Sequence, residues 1–293
     1  MIIHYITIIK PKIIFGNILS IIGGFFMASK ESINYNLLTN TIIGVSLIIA
    51  SNCVINNIID RNIDALMERT KHRTLAKKLI TLQNAGIYAI ILLIVGYIIL
   101  FYTTNLKVIY LTIISSIIYV GMYSLLTKKQ SMHSTLIGSI AGATPPVIGY
   151  CAVTNNIDVG ALILSIILIS WQIPHFYSLA ISRIKDYKTA SIPIFPLKKG
   201  IKSTKRHMIF YITTFMINII ILTFNQYMSY IFLLGMEVIS GIWLYVTFLG
   251  DSKTKNNNHY VTNWANKIFA MSIIIIILFN VGIVIDTTIL QQT

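Results

Sequence analysis

Nine runs of mostly apolar residues, most of them long enough to cross a lipid bilayer as a helix, divide this chain of 293 residues and leave little sequence between them. A spanning helix takes about 20 such residues. The runs lie at 13–27, 37–59, 87–102, 108–126, 136–153, 159–180, 208–224, 228–249 and 265–285, the first and third being short. Gly142 and Pro145-Pro146 fall inside the fifth, which neighbouring helices can tolerate by satisfying the freed backbone groups. The expected architecture is therefore all-α: a polytopic membrane protein of about nine transmembrane helices in one bundle, a single domain over residues 1–293.

Charge gives this bundle a direction. Charged residues make up 11% of the chain, against about 25% in a soluble protein, yet the net charge is +14. In a soluble chain that excess would suggest nucleic acid. A mean hydropathy of +0.76 and the uncharged runs point to a lipid bilayer instead, with no nucleic-acid partner. Assigned by loop parity, 21 of the 23 basic residues fall on one side, and only Lys30 and Lys107 on the other. Basic residues mark the cytoplasmic face, so the N-terminus is expected inside, the C-terminus outside. No small-residue cleavage site follows the first apolar stretch, so no cleavable leader is expected. Two long loops on the cytoplasmic side, 60–84 and 181–207, hold 14 of the 23 basic residues, and long loops in a compact domain are often functional.

The first of these loops begins with an acid and amide ladder. On a helix, Asn56, Asp60 and Asp64 lie within about 80° of one another and span about 12 Å. Mg²⁺ prefers one or two carboxylates completed by phosphate oxygens and water, so the ladder suits a metal-bridged diphosphate, with Arg69, Lys71 and Arg73 available for the remaining oxygens. The plainer reading is that acids and amides mark the water boundary and the bases anchor topology.

The pattern Asn56-x-x-x-Asp60-x-x-x-Asp64, followed by Met67-Glu68-Arg69-Thr70-x-x-Arg73, resembles the first aspartate motif of the intramembrane (UbiA) prenyltransferases, in particular their heme-directed branch. Lys10-Pro11-Lys12 with Gly23-Gly24-Phe25, Ala141-Gly-Ala-Thr-Pro145-Pro146, and Trp171-Gln-Ile-Pro174-His175-Phe176 with Asp186-Tyr187 and Ile192-Pro193 extend the resemblance from residue 10 to about 207. It implies a Mg²⁺-dependent prenyltransferase. Such an enzyme moves the farnesyl group of farnesyl diphosphate to a vinyl group of heme B, with addition of water, giving heme O and diphosphate. It also implies a bacterial cell inner membrane location with the site at the cytoplasmic face, and a heme A synthase or terminal oxidase downstream.

By the same resemblance, Asn56, Asp60, Asp64 and Asp186 would hold the metal, with Arg69, Arg73 and Lys128 on the diphosphate. Tyr123 would lie against the developing allylic cation and His175 against the porphyrin. Quinone-directed members carry a second acid where Ala190 stands here, which favours heme as acceptor. Each residue also has an ordinary reading: Asp186 in a solvated loop, Tyr123 with Lys128 and Lys129 as boundary anchors, His175 as a hydrogen-bonded core group. Glu237, deep in the eighth run, is a functional candidate or a carboxyl bonded within the bundle. Cys53 and Cys151 lack metal-ligand spacing and read as packing residues. An aromatic quinone precursor as acceptor, or a transporter using the same acids, are the competing functions. Transport sites tend to lie at midplane, whereas these acids end the spans.

Overall fold

The computed structural model describes residues 2–29, 32–250 and 258–290, and every regular element among them is helical. Lys30, Lys253 and Lys255, which entered the charge partition, lie outside the described residues. In chain order the helices are α1 (Ile2–Ile8), α2 (Pro11–Ala28), α3 (Tyr35–Leu66), α4 (Leu82–Thr103), α5 (Leu106–Ser116) and a π-helix (Ile117–Thr127). There follow α6 (Ser134–Gly142), α7 (Thr144–Thr154), α8 (Val159–Ser182), α9 (Ile184–Thr189), α10 (Phe195–Phe224), α11 (Tyr230–Leu249) and α12 (Asn258–Leu290). Nine membrane-length apolar units result among the described residues, α5 with the π-helix and α6 with α7 each counting as one.

Local chemistry sets the boundaries. Asn34, Thr81, Asn105, Asp158 and Ser229 each accept a bond from a backbone N–H in the first turn of α3, α4, α5, α8 and α11, supplying an acceptor that an apolar N-terminus lacks. Ala143 and the two prolines after it separate α6 from α7, so the fifth apolar run is two helices rather than one.

The long loops are shorter than the charge pattern suggests. Helix α3 continues through Asp60 and Asp64 to Leu66; charge ends the hydrocarbon-compatible stretch, but nothing at 60–66 breaks a helix. The 32 residues of α3 rise about 48 Å, well beyond the roughly 30 Å hydrocarbon layer, so the helix is long enough to carry its acid-bearing end past the apolar region. In the same way α9 and the first half of α10 take up most of 181–207, with a kink in α10 at Gly200 (φ 77°).

Helix α3 packs along α4, α2 against α7, and α8 against both α10 and α12. The α2–α7 contact is close because a Cβ on Gly24 would meet the Pro146 carbonyl and one on Gly149 the Ile21 carbonyl; small residues permit such backbone approach in a membrane. Phe25, Tyr177, Phe215, Trp243 and Phe279 are enclosed in the core. Ile87, Ile90, Ile91, Ile94 and Ile98 lie exposed along α4, an apolar face that only lipid or another apolar surface can cover.

Candidate active site

A cavity of about 740 Å³ opens inside the bundle and runs from the basic end of α3 into the apolar interior. Its polar end is built on α3, where helical spacing sets Asn56, Asp60 and Asp64 on one face, all three buried and lining the cavity. Each is met by a cation from another part of the chain. Lys128, in the turn after the π-helix, pairs with Asp60 Oδ2. One guanidinium nitrogen of Arg73 donates to both oxygens of Asp64, at 2.9 and 2.8 Å. Lys10 donates from Nζ to Asn56 Oδ1 at 2.6 Å.

These cations are held in place. Lys10 sits at the start of α2 with a left-handed backbone (φ 55°), which turns its side chain back over α3. Burial pushes its ammonium pKa down to about 8, and nearby Arg73 and Lys128 add to the effect. Burial would also lower Lys128, but Tyr123, Asp60 and Asp64 outweigh it and raise the pKa above the usual lysine value. Arg69 lines the cavity from an exposed position.

The π-helix supplies the opposite wall. Its wider turn leads Lys128 N–H to the Tyr123 carbonyl, five residues back, and stacks Tyr119 on Tyr123 with centroids 5.8 Å apart. Lys128 Nζ stands 5.8 Å from the Tyr123 ring centroid. Ser124 donates to the Tyr119 carbonyl at 2.8 Å and accepts from Asn56 Nδ2 at 3.0 Å. With Nδ2 so engaged, Asn56 turns its carbonyl oxygen toward Lys10.

The donor set bears on a metal. Asp60 Oδ1 is buried without a hydrogen-bond partner among the described residues, so its lone pairs remain free for a cation. Among the described residues no three His, Cys, Asp or Glu converge on one point. Two carboxylates on one face, one with an uncommitted oxygen, fit Mg²⁺ shared with substrate oxygens and water, not a cage made of protein alone.

Asp186 does not join this group. It lies half-buried on α9, outside the cavity wall, while its neighbour Tyr187 lines the cavity. His175 does line it, on α8, with its ring 4.9 Å from Trp171 and 4.7 Å from Phe269. Glu237 does not line the cavity; it is half-buried, its Oε1 without a hydrogen-bond partner among the described residues. Cys53 and Cys151 are buried free thiols. Neither Lys10 nor Ser124 stands out in the sequence by itself; a lysine directly before a helix-starting proline is the available signal.

The comparisons agree with this architecture. Residues 17–274 match the model of the UbiA prenyltransferase family. The protoheme IX farnesyltransferase of Blochmanniella pennsylvanica is 49% identical over 287 residues, covering 98% of this chain and 96% of that one. That of Photorhabdus laumondii is 48% identical over 286 residues, covering 98% and 96%. Among solved structures, digeranylgeranylglyceryl phosphate synthase superposes with a TM-score of 0.77 at 19% identity, over 97% of this chain and 98% of that one. A UbiA homolog from Archaeoglobus fulgidus bound to DMAPP and Mg²⁺ gives 0.64 at 16% identity, over 96% and 98%. The chain belongs to the UbiA prenyltransferase family.

Proposed function

We propose that this membrane prenyltransferase joins the farnesyl group of farnesyl diphosphate to a vinyl group of heme B, with water, to give heme O and diphosphate. The observation that carries this reading is the cavity itself: Asp60, Asp64, Lys10, Arg73 and Lys128 gather at one end of a mostly apolar chamber that also holds His175. A diphosphate needs the first part and an isoprenoid the second. The acceptor follows from the relatives named protoheme IX farnesyltransferase at 48–49% identity.

Mg²⁺, held by Asp60 and Asp64 with Asn56 beside them, would neutralise part of the diphosphate charge as that group leaves. A metal is supported by the A. fulgidus homolog, which was solved with Mg²⁺ and DMAPP. Arg73 and Lys128, paired with the acids in this structure, turn to the diphosphate oxygens when substrate enters, and Arg69, exposed at the cavity wall, takes a further oxygen. Lys10 adds a further charge from α2.

As the C1–O bond of farnesyl diphosphate breaks, the faces of Tyr123 and Tyr119 lie beside the allylic cation. The electron-rich vinyl group attacks C1, and the new C–C bond leaves a cation on the carbon next to the porphyrin. Water adds there and releases a proton. Apolar walls keep bulk water from quenching the first cation. The site faces the cytoplasm of a bacterial inner membrane, where the basic loops collect the anionic substrate.

The test is diphosphate release from farnesyl diphosphate by purified protein with heme B, with and without Mg²⁺. Wild type is expected to release diphosphate only with metal and both substrates, and Asp60→Asn to lose at least about 100-fold. Near-normal release from Asp60→Asn would refute the assignment of this carboxylate.

A further inference from the structure

The imidazole of His175 is engaged on one side only. Among the described residues its single hydrogen bond is at Nδ1, 2.7 Å from Ser272 Oγ on α12. The Ser272 hydroxyl proton is already committed, because Oγ donates to the Phe269 carbonyl at 2.6 Å. Ser272 can then offer His175 only a lone pair. Nδ1 must carry the ring proton, and in the neutral imidazole Nε2 is left with its lone pair unshared, on a side chain that lines the cavity. The serine is itself anchored: it is fully buried, and its backbone carbonyl accepts from Trp171 Nε1 at 2.7 Å.

We infer that Ser272 is a positioning residue that fixes the tautomer of His175, presenting Nε2 as an axial ligand to the iron of a heme bound in the cavity. A ligating histidine commonly donates its other ring N–H to an oxygen acceptor, which sets the tautomer and the ring orientation. Here that acceptor comes from α12, 97 residues further along the chain. The inference rests on heme B as acceptor substrate, and it adds that the acceptor is held through its metal as well as by apolar contact. The rings of Trp171 and Phe269 against His175 restrict the imidazole further.

The experiment is titration of ferric heme B into the full-length protein in lipid nanodiscs, read by the Soret band and by electron paramagnetic resonance, with farnesyl diphosphate affinity measured alongside as a check on folding. Wild type should give a histidine-ligated spectrum. His175→Ala should lose it, and exogenous imidazole should restore it to His175→Gly. Ser272→Ala should weaken heme affinity by about 10-fold and shift the signature, while Ser272→Thr, which keeps the hydroxyl, should return it. Farnesyl diphosphate affinity should be unchanged throughout. A Ser272→Ala protein with wild-type affinity and spectrum would overturn the inference while leaving heme as the acceptor. A wild-type spectrum from His175→Ala would overturn ligation itself. Absence of saturable heme binding in a wild type that still binds farnesyl diphosphate would remove the acceptor reading and the inference with it.

Discussion

Asp60 and Asp64 carry the account at the scale of single residues, and each is bound to a different kind of cation. Arg73 spans both oxygens of Asp64, a charge-assisted contact stronger than a neutral bond; Lys128 takes one oxygen of Asp60 and leaves the other free. Removing a cation therefore has two effects: a buried acid is stranded and the diphosphate loses a partner. Arg73→Ala should raise the KM for farnesyl diphosphate by about 10-fold or more and lower the melting temperature in detergent; Arg73→Lys, a point charge without the fork, should recover stability better than KM. Steady-state kinetics beside a thermal melt checks both, and an unchanged KM would remove Arg73 from the diphosphate site.

The acid ladder was legible in the sequence because helical periodicity alone puts Asn56, Asp60 and Asp64 on one face. The contacts of Lys10 and Ser124 with it were not, since they reach Asn56 across 46 and 68 residues of chain, and such contacts depend on tertiary packing. Asp186 shows the reverse: its acid-among-bases setting is legible in the sequence, but it is not among the residues that line the cavity.

Among the elements, those that hydropathy could find were found, and those that depend on backbone detail were not. Each of the nine apolar runs corresponds to a membrane-length helical unit, but the π-helix at Ile117–Thr127 and the break at Ala143 leave no mark in average hydropathy. The π turn matters because it sets the rotational phase of everything after it. Deleting Val120 would return the segment toward an α register and swing Lys128 away from Asp60. The expected result is a protein that inserts and melts like wild type but loses about 10-fold or more in kcat/KM for farnesyl diphosphate; full activity would show that the π geometry is incidental. Packing between helices is testable separately. Gly149→Leu would force its side chain against the Ile21 carbonyl and should cost about 1–3 kcal/mol, read as a lower melting temperature, whereas Gly235→Leu, with open space around it, should melt like wild type.

For the whole molecule, the excess of positive charge and the cavity point to one face of the membrane. The basic residues at 61–78 and 183–206 flank the end of the bundle where Asp60 and Asp64 lie, so positive charge surrounds the site that needs it. Reporter fusions should read the cytoplasm after Lys78 and the opposite side after Asn155; the reverse pattern would invert the topology and contradict the proposed cytoplasmic site. The central claim, that one cavity brings an isoprenoid diphosphate together with heme, is tested most directly by the product. Membranes containing the protein, supplied with heme B, farnesyl diphosphate and Mg²⁺, should yield heme heavier than heme B by the mass of one farnesol, with Asp60→Ala and Asp64→Ala membranes yielding none. Unmodified heme from active membranes, or prenylation of an aromatic quinone precursor in its place, would contradict it.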